Sequence, residues 1–152
     1  MITKDRTFLA MAAAVAGLSK DPSSQVGCVI TDGRSVSIGY NGFGPTVRDD
    51  PSVLAKEASF DPSGKLLPYS DGYTKYDLVI HAEANALLHC SVRPVGWTLY
   101  CTHVPCAACC TLITGSGIIR VVSAGKGTTC GNGLGILQLA GVEYCNPNPV
   151  NP

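Results

Sequence analysis

The segments HAEAN (81–85) and PCAACC (105–110) constrain this chain more than any other part of its sequence. Each segment opens a predicted helix, and the predicted strand TLYCT (98–102) lies between the two helices. Cys106 and Cys109 are one helical turn apart and therefore share one helix face. If His81 joins them, the fold must bring both helix starts to one point. The alternative is two ordinary helix starts in a cysteine-rich chain.

The combination of residue types favours a catalytic metal site. One imidazole and two thiolates give three protein ligands to Zn²⁺, and the open fourth position of such a site is taken by water. The positive partial charge at a helix start favours the thiolate form of a cysteine. Glu83 lies two residues after His81, where it can reach the bound water and carry its proton. The residues predict one zinc ion per subunit, ligated by His81, Cys106 and Cys109.

The remaining cysteines and histidines have structural interpretations. Cys110 is adjacent to Cys109 on the helix, so we expect it to face away from the metal and join the core. His89, two turns into the first motif helix, is interpreted as structural. His103 precedes Pro105 and is a candidate for the wall of the substrate pocket. Four cysteines on apolar elements are predicted to be core residues: Cys28, Cys90, Cys101 and Cys145.

The order of predicted elements indicates an α/β fold with a mixed sheet and helices on both faces. Helices are predicted at about 3–18, 82–90, 106–117 and 133–142, and strands at 25–31, 34–40, 98–102, 118–124 and 142–145. Residues 42–77 are predicted to be a long loop or insertion in which only SVLAKEASF (52–60) has helical character. We expect one domain at residues 1–146 and a flexible proline-rich tail at 147–152.

Composition limits the partners of the chain. Its 11 basic and 11 acidic residues form no basic stripe, which argues against a nucleic-acid partner. The apolar run Thr7–Ser19 is too short to span a bilayer and follows Asp5 and Arg6, so we expect a core helix and a cytoplasmic protein without a membrane partner. With 45% hydrophobic and 14% charged residues, the chain is expected to form a homo-oligomer.

Five segments of the chain resemble the zinc-dependent cytidine deaminase superfamily, and most closely its deoxycytidylate (dCMP) deaminase family. They are SKDPSSQVGCVITDG, GYNGFGPTVRDD, HAEANALL, LYCTHVPCAACC and SGIIRVV. The pattern H-x-E followed by P-C-x-x-C is typical of zinc nucleobase deaminases. The resemblance covers nearly the whole chain. It implies a three-layer α/β/α sandwich with a mixed five-stranded sheet, a dimer or hexamer, and hydrolysis of dCMP to dUMP and ammonia for dTMP synthesis.

The resemblance also implies roles for individual residues. By motif position, His81, Cys106 and Cys109 match the zinc ligands of the family. Glu83 matches its proton shuttle, and Asn41 matches the asparagine beside the nucleotide sugar.

The remaining implied contacts lie around the base. Ser24, Gln25 and Val26 match the segment that borders the pyrimidine pocket. The backbone N–H of Ala82, at a helix start, can face the base carbonyl.

Two segments depart from the family pattern. In NGFGP, Gly44 stands where the family more often has proline. In AGKGTTCGNG, Lys126 of the usual phosphate segment remains, whereas its aromatic residue does not. Some relatives are regulated by triphosphates bound with Mg²⁺, and no residue set in this chain supports such a site.

Other functions remain as alternatives. One is deamination of a related nucleotide, such as dCTP, a 5-substituted dCMP or another nucleobase substrate. A free cytidine deaminase typically carries cysteine at the position of His81, and a tRNA deaminase should show a basic face. Another alternative is a non-catalytic, zinc-stabilised binding module. Glu83 argues against the module, because a structural zinc site gains little from an unliganded carboxylate.

Overall fold

A five-stranded mixed sheet organises the chain in a computed structural model that describes residues 3–47, 54–55, 58–67, 71–126 and 132–147. The helices are α1 (Thr3–Ala16), α2 (Lys75–Leu78), α3 (Ala82–Leu88), α4 (Ala107–Ser116) and α5 (Gly133–Leu139). The strands are β1 (Gly27–Thr31), β2 (Val36–Tyr40), β3 (Ser59–Phe60), β4 (Leu66–Leu67), β5 (Tyr73–Thr74), β6 (Thr98–His103), β7 (Arg120–Lys126) and β8 (Glu143–Cys145).

The strand order of the main sheet is β2-β1-β6-β7-β8. Strand β1 is antiparallel to both neighbours, whereas β6, β7 and β8 are parallel to one another. Every residue of β1 is buried, as its continuous apolar sequence predicts for an inner strand. The edge strand β2 alternates exposed and buried residues. The order and directions of the strands confirm the predicted mixed five-stranded sheet.

Two hydrophobic cores lie on opposite faces of this sheet. Helix α1 packs Ala12 and Val15 against Val29, Tyr100 and Val122. On the other face, α3, α4 and α5 cover residues that alternate with these along the strands. The buried members there include Cys28, Ile30, Ala86, Leu99, Cys101, Cys110, Ile113, Val121 and Leu137. This second face brings the two motif helices together, because buried residues of both helices belong to one hydrophobic cluster.

Two glycines allow helices to approach the sheet closely. A Cβ atom on Gly39 of β2 would lie 2.2 Å from the carbonyl oxygen of Ala82 in α3. A Cβ atom on Gly27 of β1 would lie 2.0 Å from the carbonyl oxygen of Ala12 in α1. Real Cβ contacts are essentially never shorter than 3.0 Å. Each glycine therefore fixes the distance between one helix and the sheet.

The insertion contains a small sheet that the sequence analysis did not predict. Strands β3, β4 and β5 form an antiparallel sheet in the order β4-β3-β5. The helical prediction for 52–60 is wrong at its end, because Ser59 and Phe60 form β3. The reason is the turn sequence Asp61-Pro-Ser-Gly64, in which the Asp61 carboxylate accepts backbone N–H groups and Gly64 adopts a φ of +84°.

Most other element bounds differ from the prediction by a few residues. Helix α1 ends at Ala16 rather than at residue 18, because Gly17 follows and the last turn closes through shorter backbone bonds. Helix α4 ends before Gly117, whose φ of +90° gives a left-handed cap. Strand β7 begins at Arg120, two residues later than predicted. Among the helices of the described residues, none combines the length and apolar character that a bilayer crossing requires.

Candidate active site

The starts of α3 and α4 meet and bring the three predicted ligands together. His81 is the residue that precedes α3, and Cys106 is the residue that precedes α4. His81 Nδ1 lies 3.5 Å from Cys106 Sγ and 3.4 Å from Cys109 Sγ. All three donor atoms lie within 4.8 Å of one another. The two sequence segments therefore act as one cluster.

Neither of these residues serves its helix as an N-cap side chain. Helix starts usually carry Ser, Thr, Asp or Asn, whose oxygen accepts a backbone N–H of the first turn. The side chains of His81 and Cys106 make no such bond. Their backbone carbonyls still accept the first helical bonds, from Asn85 and Cys110. Both side chains are therefore directed at the cluster, which disfavours the interpretation as ordinary helix starts.

The donor set fits zinc. Zn–S bonds of about 2.3 Å and a Zn–N bond of about 2.05 Å at tetrahedral angles separate nitrogen from sulfur by about 3.6 Å. The two distances from His81 Nδ1, at 3.4 and 3.5 Å, are close to that value. Cys109 is buried, Cys106 is half-buried and His81 is exposed. Three ligands with one open side match a catalytic rather than a closed structural site.

The charges of the site also favour a cation. Glu83 is 4% exposed, and its Oε2 lies 3.6 Å from Cys109 Sγ. Burial, and then the nearby Glu83 charge, raise the pKa of the Cys109 thiol. A thiolate and a carboxylate that converge in a buried site need positive charge to offset their repulsion. A divalent metal would supply that charge.

Cys110 lies outside the cluster. It is fully buried, and its Sγ lies 3.7 Å from the carbonyl oxygen of Pro105. A Cβ atom on Gly133, at the start of α5, would lie 3.0 Å from the same sulfur. Cys110 therefore packs between α4 and α5. Cys28 of β1 and Cys101 of β6 are neighbours in the strand register, and both are fully buried.

A cavity of about 370 Å³ opens in front of the cluster. Its volume is within the range of small-molecule sites. Five of the predicted substrate contacts line it: Ser24, Val26, Asn41, Ala82 and His103. Gln25 is not among the lining residues, because its Nε2 donates to the backbone carbonyl of Ser19 at 2.7 Å.

Asn41 fixes the backbone of the cavity wall. Its Nδ2 donates to the carbonyl oxygen of Ser24, and its Oδ1 accepts the N–H of Val26, both at 2.8 Å. Ser19 Oγ donates to the Asn41 carbonyl at 2.8 Å. The asparagine therefore determines the shape of the wall as well as offering one remaining N–H to a ligand.

His103 reaches the cavity from the end of β6, opposite a bulge in β7. The register between β6 and β7 shifts between Cys101 and His103. Bulges of this kind redirect side chains and are frequent beside active sites. Thr102 Oγ1 lies 2.9 Å from His103 Nδ1 and orients the ring. Lys126 is the register partner of His103 at the end of β7, and its side chain lies outside the described part of the chain.

The cavity wall also contains residues that no sequence motif predicted. Asp21, Ser23, Tyr76, Val79 and Val104 also line the cavity, as does Lys75. Asp21 begins the turn sequence Asp-Pro-Ser-Ser, and that turn signal could have drawn attention to it. No sequence signal pairs Asp21 with Lys75, because 54 residues separate them.

The chain is similar to known proteins along most of its length. A family model described as "Cytidine and deoxycytidylate deaminase zinc-binding region" matches residues 2–125. Deoxycytidylate deaminase of Mycobacterium phage D29 is 42% identical over 120 residues, which are 78% of this chain and 91% of the relative. Deoxycytidylate deaminase of Mus musculus is 38% identical over 120 residues, which are 76% of this chain and 61% of the relative.

A solved structure shares the fold. The dCMP deaminase from the cyanophage S-TIM5, in complex with dCMP and dUMP, matches with a TM-score of 0.68. The match covers 96% of this chain and 98% of the phage chain, at 23% sequence identity. The likeness shows that the two chains share a fold.

Proposed function

The chain belongs to the cytidine and deoxycytidylate deaminase family, and we propose that it is a zinc-dependent hydrolase that converts dCMP to dUMP and ammonia. The observation that carries the proposal is the cluster of one imidazole and two thiols beside a buried carboxylate, open to a nucleotide-sized cavity. These side chains suit a hydrolase, because three of them can hold a metal that keeps one open position and the carboxylate can carry protons.

Three side chains would hold the metal: His81, Cys106 and Cys109. When bound, Zn²⁺ supplies Lewis acidity that lowers the pKa of a water molecule from 15.7 to about 7. The chain's part is to fix the three donor atoms on two rigid helix starts. The exposed edge of His81 leaves the approach from the cavity open.

Glu83 is proposed to move the protons. Its carboxylate accepts a proton from the attacking water and delivers it to N3 of the cytosine ring. A C4–O bond forms, the C4–N bond breaks, and the exocyclic amine leaves as ammonia after a further proton transfer through Glu83. Burial of the carboxylate keeps bulk water from competing for these protons.

The cavity wall is proposed to orient the nucleotide. The backbone N–H of Ala82, in the first turn of α3, can donate to the base carbonyl. The wall that Asn41 braces, at Ser24 and Val26, would border the pyrimidine and the deoxyribose. His103 and Lys126 are proposed contacts toward the sugar and phosphate, and Gln25 would act through the wall that it supports.

Ammonia release from dCMP tests the proposal. The wild-type protein should contain one zinc per subunit and release ammonia, whereas Glu83→Gln should keep the zinc and lose about 10²–10⁴-fold in kcat. Deoxycytidine, dCTP, 5-methyl-dCMP and CMP form the substrate panel. The rate with dCMP should exceed the rate with CMP, because Asn41 is proposed to pack against a deoxy sugar. A zinc-loaded wild-type protein that deaminates no cytosine nucleotide would contradict the proposal and favour a zinc-stabilised binding module.

We also propose a cytoplasmic homo-oligomer, dimer or hexamer, of a single catalytic domain. Large apolar side chains on the outer faces of α3, α4 and α5 support an assembly. Leu88, Leu112 and Leu139 are all more than half exposed. Sedimentation of the purified protein would distinguish a monomer from the proposed dimer or hexamer.

A further inference from the structure

One buried ion pair joins two parts of the cavity wall that are far apart in the sequence. Asp21 begins the wall segment 21–26, and Lys75 begins the segment 75–79 that leads to the metal cluster. Lys75 Nζ donates to both carboxylate oxygens of Asp21, at 3.0 and 2.9 Å. Each of these two side chains is only 4% exposed. Both residues also line the cavity.

The pair is connected to the rest of the wall through Asp21. Its carboxylate accepts the backbone N–H groups of Ser23 and Ser24, at 2.8 and 3.2 Å. Its own N–H donates to Ser19 Oγ, which in turn donates to the backbone carbonyl of Asn41. Burial opposes ionisation of Asp21, but the hydrogen bonds from Lys75, Ser23 and Ser24 lower its pKa overall. Asp21 is therefore ionised at neutral pH.

The metal ligand after the pair has a separate anchor. Ile80 exchanges two backbone hydrogen bonds with Gly42, at 2.8 and 3.1 Å. His81 follows directly and begins α3, which packs tightly on β2. The position of His81 is thus fixed downstream of Lys75 by contacts that do not involve the pair.

We propose that Asp21 and Lys75 form a positioning pair for the nucleotide, which holds the segments 21–26 and 75–79 at the separation that binding requires. The charge of Lys75 is already neutralised by Asp21, so the pair acts through the wall rather than as a phosphate ligand. Tyr76 belongs to the same unit, because Lys75 Nζ lies 5.4 Å from its ring centroid. The proposal rests on the proposed deaminase function.

The experiment compares Lys75→Met with Asp5→Asn as a matched control. The buried Asp5 pairs with the partly exposed Arg120 at 2.8 Å, and neither residue lines the cavity. We expect Lys75→Met to raise the KM for dCMP by about tenfold while kcat changes less than about threefold and zinc stays at one per subunit. Backbone amides of 21–26 should exchange hydrogen faster in this variant. Asp5→Asn should lose stability without changing KM or exchange at 21–26.

Further variants separate a positioning role from general support. The double variant Asp21→Asn/Lys75→Met should raise KM no more than Lys75→Met alone. The reason is that one unpaired buried charge destabilises the wall more than the loss of both charges. If Lys75→Met does not fold, Asp21→Asn replaces it with the same readouts, since asparagine keeps an acceptor for Ser23 and Ser24.

Two results would overturn the proposal. One is an unchanged KM and unchanged exchange at 21–26 in a destabilised Lys75→Met protein, which would make the pair merely structural. The other is loss of zinc together with kcat, which would make it part of the metal site. If the wild-type protein does not deaminate dCMP, the proposed function fails, and the exchange measurement alone decides whether the pair fixes the wall.

Discussion

Replacing Gly39 with alanine should separate the two halves of the metal site. The new Cβ would lie 2.2 Å from the Ala82 carbonyl oxygen and 2.3 Å from the Ala86 nitrogen, both in the backbone of α3. Since real Cβ contacts essentially never fall below 3.0 Å, α3 must retreat from β2 by at least about 0.8 Å. His81 and Glu83 lie in the first turn of this helix or directly before it, so they should move with it.

The expected effects of this shift are large. The 3.4 and 3.5 Å separations between His81 Nδ1 and the two sulfurs leave little room for adjustment. A displacement of about 1 Å at a reacting centre can cost about 100-fold in rate. Overpacking also costs about 1–3 kcal/mol of stability. Zinc per subunit, kcat for dCMP and the free energy of unfolding would be measured on the same preparation.

Gly27→Ala is the matched control. It creates the same type of overlap on the opposite face, at 2.0 Å from the Ala12 carbonyl oxygen. It should therefore destabilise the protein by a similar amount while zinc stays bound, because α1 carries no ligand. If folded Gly39→Ala protein keeps its zinc and its rate within about threefold of wild type, the close approach of α3 does not set the site geometry and the reasoning fails.

Two further predictions concern the cysteines of α4 and the ion pair of Asp5 with Arg120. Cys109→Ser should abolish stoichiometric zinc binding, whereas Cys110→Ala should keep the zinc and cost about 1 kcal/mol of stability; equal zinc loss in both would contradict the assigned ligands. Hydrogen bonds from Arg120 lower the pKa of Asp5, against the opposing effect of burial. This stabilisation is complete above the unfolded pKa of 3.8 and is lost as pH falls through the lower folded value. Asp5→Asn should therefore be less stable than wild type by about 2 kcal/mol at pH 7, and urea unfolding at decreasing pH should show the difference shrinking below about pH 4.

The metal cluster could be predicted from the sequence because its signals are local. Cys106 and Cys109 share a helix face at a spacing of three, and His81 and Glu83 are two residues apart. The only long-range step is the meeting of α3 and α4, and the strand between them makes that step predictable from topology. The ligand predictions needed no knowledge of the insertion.

The cavity wall could not be predicted in the same way. Asp21 and Lys75 are 54 positions apart in the sequence, and no periodic pattern predicts that they meet in the fold. The small sheet that begins at Ser59 was missed because two-residue strands are too short to show alternation. The motif position of Gln25 predicts a pocket residue, whereas in the fold its amide donates to the backbone carbonyl of Ser19.

The metal cluster and the cavity wall are held in place by different contacts. The donor atoms are fixed by two helix starts and by the contact of α3 with β2, whereas the wall is fixed by Asn41 and by the Asp21–Lys75 pair. Changes in the wall are therefore expected to alter which nucleotide binds, while the proposed zinc ligands and Glu83 remain in place. The two segments that depart from the family pattern, around Gly44 and Lys126, both lie outside the ligand helices. It follows that substrate choice in this chain should respond to substitutions in the wall and in these segments, and metal binding should not.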